Sequence, residues 1–486
     1  MNFSDFSFWW ILFVVGIPLL VIRSIAKSLD LWRDSWDAVA LAALSLTLFL
    51  NASFSSFLVF LFEVIFNYLM VRWMLQCRGW KAKAIATSLI VFDVAVLAYF
   101  KYLTFFVEDV IGLAVGGIPE NWQASFPLPV FQRIPPGISF YTFQMVAFVV
   151  DSYNLKKQKQ IQFLDYVNFI AFFPQIVAGP IERRKQLLPQ IESFRLKFTA
   201  DNFEIGLRWI SLGLFMKFAL ADNIAPYIDL SQTANPWLVW FHAFLFTLRI
   251  YFDFAGYSFI ALGLARILGI NLEVNFLAPY TSVSIQEFWR RWHVTLSNWF
   301  RDYVFIPLMG RNKKWAAFYL WLTFTLSGFW HGAAWNFLIW GAYHGTLLLV
   351  LRYAGRPFQR WLGHWTTRTQ FVSWALTFGS VVLGCLFFME TDTARLLAKL
   401  QTLATPWAYS LSNLGGVFTA FEVKEGSVLL AALVLSLGVL FLEHLAVWQK
   451  RPEYELLLSP WMARGLLVLT ILLGANVPSE FIYFEF

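Results

Sequence analysis

Apolar runs of about twenty residues recur along this chain, and they constrain its fold more than any other feature. One extends from Trp315 to Leu351 without a single Asp, Glu, Lys or Arg. Such runs match a hydrocarbon core ~30 Å thick, where each backbone N–H and C=O must be satisfied within the protein, as a helix does. Composition agrees: 14% of residues are charged, against roughly 25% in soluble domains. The chain is therefore expected to be an all-α polytopic membrane protein, with residues 1–486 forming one integral membrane domain.

Spans are expected near 8–24, 37–53, 56–76, 84–102, 137–151, 164–179, 206–222 and 237–268. Two more are packed into 315–352, and others lie near 371–390, 427–446 and 463–478. The segment 237–268 is long and is expected to break at Asp253 and Gly256, whereas 103–118 is short and carries Glu108 and Asp109. Irregular pieces at membrane depth are tolerated where they are buried in protein or line a cavity. No internal repeat is evident, which weighs against a transporter built from inverted halves. The start, MNFSDFSFWWILFVVGIPLL, has no positive n-region, and Arg23, Lys27 and Arg33 follow it. It reads as a retained first span with its N-terminus outside.

The net charge of +7 does not point to nucleic acid. Basic residues are confined to short segments between apolar runs: Arg78, Lys81 and Lys83; Lys156, Lys157 and Lys159; Arg183, Arg184 and Lys185. That is a positive-inside pattern facing anionic headgroups of the lipid bilayer, and it also suits a phosphate-bearing cytosolic substrate. Cys77 and Cys385 form no CxxC and no disulfide framework.

The stretch SIQEFWRRWHVTLSNWFRDY, 284–303, reads as an amphipathic helix capped by Ser284 and Glu287. At helical spacing Trp289, Trp292, Leu296, Trp299, Phe300 and Tyr303 share one face, with His293 at its edge. Arg290, Arg291, Asn298, Arg301 and Asp302 share the other. Such a helix lies in the membrane interface and does not span it.

Six histidines are present: His242, His293, His331, His344, His364 and His444. None has metal-motif spacing, so no metal site is expected. There is no GxSxG, P-loop or GxGxxG. His331, in SGFWHGAAW, is the first candidate. An ionisable ring in an apolar run is a functional hypothesis by default, and a buried neutral imidazole can take up a proton and return it. A histidine bonded to a neighbouring helix carbonyl fits the same residues. Ser327, Gly328, Gly332 and Ala333 suit either a close helix contact or a narrow channel.

His344 lies ~20 Å from His331 if one helix joins them, on nearly the opposite face, and reads as structural. Gly341 and Gly345 permit a break. His293 is the second candidate, with an edge-of-helix residue satisfied by water as the plainer reading. Asp253, in YFDFAGYS, is the third, and bonding to backbone near a helix break suits it equally. His242, His364 and His444 receive no role.

Several blocks then resemble one family. PPGISFYTFQ (135–144), FFPQIVAGPIERR (172–184), YFDFAGYS (251–258), NFLAPYTSVSIQEFWRRWHVTLSNWFRDYVFIPL (275–308) and FWHGAAWNFLIWGAYHG (329–345) look like the membrane-bound O-acyltransferases, in particular their bacterial alginate O-acetyltransferase branch. The motif-bearing core is about 135–352. The resemblance implies a ring of about 11–13 transmembrane helices with re-entrant or interfacial helices around a thinned centre. It implies that His331 is the catalytic histidine and His293 the accompanying site residue. It further implies a bacterial inner-membrane enzyme that moves an acetyl group from cytosolic acetyl-CoA to an extracytoplasmic polysaccharide, with a periplasmic acetyltransferase as partner and no bound cofactor. The chain departs from many relatives at Ala255, Phe259 and Met389–Glu390, so peptidoglycan, cellulose and teichoic acid stay open as acceptors.

On this reading His331 takes the proton of the acceptor hydroxyl as it attacks the thioester carbon, and His293 orients the thioester or stabilises the oxyanion. Arg290, Arg291, Arg301, Arg311, Lys313 and Lys314 attract the donor's phosphates. Trp289, Trp330, Asn336 and Asp253 complete the expected substrate-binding set. The alternative from another class is a proton-coupled transporter with His331 in a relay.

Overall fold

The computed structural model describes the chain apart from residues 1–2, 4, 34, 119–121, 123–133, 156–159, 177, 197, 230, 232, 312, 354–366, 421–422, 476–478, 480 and 483–486. The basic cluster Lys156, Lys157 and Lys159 and His364 lie outside the described residues. Every regular element among the described residues is helical, and seven helices are long and apolar enough to cross a membrane. The protein is an all-α, multi-pass membrane protein. It divides into two compact units.

The first unit comprises residues 1–206 and 264–273. Its helices include α1 (Phe6–Ser28), α2 (Ser35–Ala52), α3 (Phe54–Gln76), α4 (Gly79–Phe105), α5 (Ile138–Asn154) and α6 (Phe163–Ala171). On α1, Phe8 is buried while Phe6, Trp10 and Ile17 are exposed, as suits a lipid-facing span. Polar groups inside the unit are paired across helices. Asn67 Nδ2 donates to Asp93 Oδ1 at 2.7 Å, and the Tyr141 hydroxyl donates to Glu63 Oε2 at 3.0 Å.

The span expected at 164–179 does not form, because α6 stops at Ala171. Pro174 has no N–H for the helical ladder and disfavours helical backbone at Phe173. The Phe169 carbonyl accepts instead from the side-chain amides of Gln144 (2.7 Å) and Gln175 (3.0 Å).

The second unit comprises residues 207–263 and 274–486. It holds α7 (Pro236–Ile267) as far as Gly263, α8 (Ile285–Arg291), α9 (Val294–Phe300), α10 (Ala316–His331), α11 (Trp335–Tyr353), α12 (Thr367–Met389) and α13 (Val423–Trp448). The expected break in 237–268 is absent, since α7 runs unbroken for 32 residues. Asp253 needs no break because Lys217 Nζ lies 2.8 Å from its Oδ1 and the Ile482 N–H donates to its Oδ2 at 2.8 Å. Lys217 also pairs with Asp222 at 2.8 Å, and the Ser479 hydroxyl donates to Asp222. Gly256 serves close packing: a Cβ there would sit 2.8 Å from the Gly213 carbonyl oxygen and 3.0 Å from the Lys217 nitrogen.

The 315–352 segment forms the expected pair of helices, α10 and α11, folded as an antiparallel hairpin. The chain turns at Gly332–Ala334, not at Gly341 or Gly345. Those glycines let the helices touch instead. A Cβ on Gly328 would lie 2.1 Å from the Phe337 carbonyl oxygen, and one on Gly341 would lie 2.3 Å from that of Phe324. Gly341 and Gly345 are thus a small-xxx-small contact face.

Candidate active site

The WRRWH stretch is two helices rather than one. The Ser284 cap forms, its hydroxyl accepting from the Glu287 N–H, while the Glu287 carboxylate accepts from the Val283 N–H and not from that of Ser284. However, α8 ends at Arg291, and His293 sits in the left-handed region at φ 43° before α9 begins. A non-glycine residue in that region is strained and persists where its surroundings hold it. Asn275 supplies the hold: its carbonyl oxygen accepts from the Val294 N–H at 2.9 Å. Its Oδ1 accepts from the Thr295 N–H and hydroxyl at 3.2 and 3.0 Å and faces His293 Nδ1 at 3.1 Å.

That network assigns the tautomer. The Thr295 backbone N–H identifies the Asn275 atom as oxygen, so His293 Nδ1 carries the hydrogen and Nε2 carries the lone pair. His293 lies outside the spanning helices and is 1% exposed. Burial depresses its pKa to about 3, keeping the ring neutral. In this form Nε2 accepts a hydrogen bond and does not donate one, so the geometry favours an orienting role for His293 over the expected oxyanion contact.

His331 ends α10, where the turn begins. Gly332 is required there, since a Cβ would fall 2.0 Å from the Phe337 ring. His331 is 5% exposed and lies among Trp330, Trp340 and Phe388, with ring centroids 4.9, 5.2 and 5.3 Å away. The His293 ring is 6.5 Å from it, and Trp330 borders both imidazoles. The two candidate histidines, 38 positions apart in sequence, are therefore brought together. Phe254 packs edge-on against His293 at 4.7 Å, so the YFDFAGYS block contributes a wall to the site.

A narrow cavity opens beside His331. It is lined by Ile250, Tyr280, Trp340, His344, Cys385 and Phe388 among others. His344 belongs to this cavity, which corrects its placement far from His331. In the antiparallel hairpin each Cα–Cβ bond tilts toward its own helix N-terminus, so the two imidazoles lean toward one another across Trp340. The Trp340 ring is 5.2 Å from His331 and 4.9 Å from His344.

The other expected residues divide. Trp330 is in the site. Trp289 packs on Trp340 and His344 at 5.7 and 5.0 Å. Asn336 donates to the Phe387 carbonyl at 3.0 Å, which fixes the neighbouring cavity wall Phe388. Asp253 is committed to Lys217 and the Ile482 N–H, so it is engaged in a buried ion pair rather than in the cavity. Arg291 is committed to Glu287, the Leu277 carbonyl and Glu453, and Arg301 to Asp302. Arg290 is exposed, as are Arg311, Lys313 and Lys314. Asn275 and Phe388 carried no signal of their own in the sequence, because their partners are distant in it, and Trp340 meets both His331 and His344 only because the chain turns between α10 and α11.

The family model for the membrane-bound O-acyltransferase family matches residues 1–391. The peptidoglycan O-acetyltransferase of Helicobacter pylori is 31% identical over 445 residues, covering 84% of this chain and 79% of that protein. The probable alginate O-acetylase AlgI of Pseudomonas aeruginosa is 33% identical over 389 residues, covering 78% and 72%. The teichoic acid D-alanyltransferase of Bacillus subtilis is 32% identical over 270 residues, covering 52% and 68%.

Proposed function

The chain belongs to the membrane-bound O-acyltransferase family, and from that premise we propose that it moves an acetyl group from a cytosolic acetyl-CoA thioester to a hydroxyl of an extracytoplasmic, alginate-like polysaccharide. That the chain is an O-acyltransferase follows from its family and sets aside the transporter reading. Donor, direction and acceptor are the proposal. So are its residence in a bacterial inner membrane and its cooperation with a periplasmic acetyltransferase.

The observation that carries the reading is the neutral-walled pocket around His331, with His293 6.5 Å away. In the proposed step His331 accepts the proton of the acceptor hydroxyl while that oxygen bonds to the thioester carbon. The tetrahedral intermediate collapses by breaking the carbon–sulfur bond, and the thiolate leaves with the proton that His331 held. Ester and free thiol balance hydroxyl and thioester. His293, fixed by Asn275, helps to orient the reacting groups beside His331. Aromatic walls exclude water and so disfavour hydrolysis. The exposed Arg290, Arg311, Lys313 and Lys314 suit the donor's phosphates.

A second acceptor, peptidoglycan, is favoured by the coverage of the Helicobacter relative, which spans more of this chain than the Pseudomonas one. The test is ester-linked acetate on isolated envelope polymers from cells carrying the wild-type protein or His331→Ala. The expected result is loss of acetate from one polymer with the variant still present in the membrane. Unchanged acetate on every polymer would refute the role of His331.

A further inference from the structure

His344 is 2% exposed, and its Nδ1 has no hydrogen-bond partner. Beside it, with ring centroids 5.0 Å apart and planes at 87°, lies Trp289, whose indole N–H is also buried and unpartnered. Buried polar atoms are almost always paired, so two orphans side by side call for an explanation. His344 lines the cavity that holds His331, and Gly384 is a glycine at its back, where a Cβ would lie 2.6 Å from His344 Nε2.

We infer that His344 is a second substrate-contacting residue, with Trp289 packed against it, and that it holds an amide of the donor's thioester arm as it passes toward His331. This rests on the acyl-CoA donor proposed above. The chemistry matches: an imidazole Nδ1 without its hydrogen accepts, so it meets the amide N–H. A thioester of coenzyme A carries such an amide close to its sulfur.

The hairpin sets the order of contacts. Gly341 packs on Phe324 and Thr325, and Gly345 packs on Trp321, so His344 is level with the middle of α10 while His331 is at its far end. The near end of the hairpin carries Arg311, Lys313, Lys314 and, at the close of α11, Arg352. A donor whose phosphates rest at that basic end meets His344 first and His331 after it.

The experiment uses the full-length protein in membranes with three acetyl donors: acetyl-CoA, S-acetyl-N-acetylcysteamine, which keeps one amide, and S-acetylpropanethiol, which has none. His344→Phe keeps the ring and removes its nitrogens, and His344→Asn returns a polar atom near Nδ1. For His344→Phe the expected result is a KM about tenfold higher for both amide-bearing donors, a far smaller effect on the amide-free one, and partial recovery in His344→Asn. The recovery in His344→Asn covers the case of a poorly folded His344→Phe variant. Equal losses on all three donors would reduce His344 to wall packing and overturn the inference, as would unchanged KM values. A wild-type protein that turns over none of the thioesters refutes the donor reading and this inference with it.

Discussion

Two places in the second unit bury ionisable groups inside apolar helices, and they do so in opposite ways. Around Lys217 the groups close on each other: Asp222 and Asp253 each lie 2.8 Å from the ammonium, and Ser479 and the Ile482 N–H take up further oxygens. Around His331 the neighbours are aromatic faces and edges, and polar atoms of His344 and Trp289 point to no protein partner. The first arrangement spends its polarity on holding α7 to the segment around Lys217. The second leaves polarity for something that enters. On the proposed function, the contrast separates a structural ionisable group from a reactive one without reference to motif.

That contrast can be broken at both ends. His331→Ala should lower acyl transfer by about 10³-fold, within the range expected for a positioned general base, while thermal stability in detergent stays near wild type. Lys217→Met should do the reverse. Removing one partner of a buried ion pair costs about 3–5 kcal/mol, read as a lowered midpoint of denaturation and less protein in the membrane, with near-normal turnover per folded molecule. If Lys217→Met folded normally but lost turnover, the knot would belong to the chemistry.

Smaller effects sharpen the boundary. Asn275→Ala removes the group that holds His293 in its left-handed conformation and sets its tautomer. A misplaced site group can cost about 10²-fold, so turnover should fall by up to that factor with modest change in donor KM. His293 also gives a pH signature. Its folded pKa, about 3, lies below the ordinary histidine value, so the unfolded chain binds the extra proton first. Its contribution is present above ~6.5 and declines as pH falls from there toward about 3, by about 1.4 kcal/mol per unit. Denaturation midpoints measured from pH 7 to 5 should show this slope, and His293→Gln should flatten it. Arg290→Ala should have the least effect, a few-fold rise in donor KM that salt reproduces, because an exposed charge is screened.

Much of this was legible before any coordinates. The α10–α11 pair and the Ser284 cap follow from apolar run length and local capping chemistry, and those appear where they were expected. Misplaced features share a cause. Helix α7 was expected to break at Asp253 because the run shows no partner for a carboxylate. The partner, Lys217, is 36 positions away and lies beside it only in the fold. The WRRWH stretch has unbroken helical periodicity, yet it breaks at His293 because Asn275, 18 positions earlier, offers a better set of hydrogen bonds. His344 was placed far from His331 on the assumption of one helix, and the turn at Gly332–Ala334 reverses that.

The sequence by itself determined that this chain is a helical membrane protein and an O-acyltransferase, and it singled out His331 and His293. Run length and motif blocks are local properties of the chain, so they can be read along it. Only the tertiary structure decided which polar groups are satisfied. A hydrogen bond or ion pair depends on atoms that the fold brings within about 3 Å, whatever their separation in the chain. Asp253 was thereby assigned to the scaffold, and His344 to the wall of the cavity, with Trp289 packed on it.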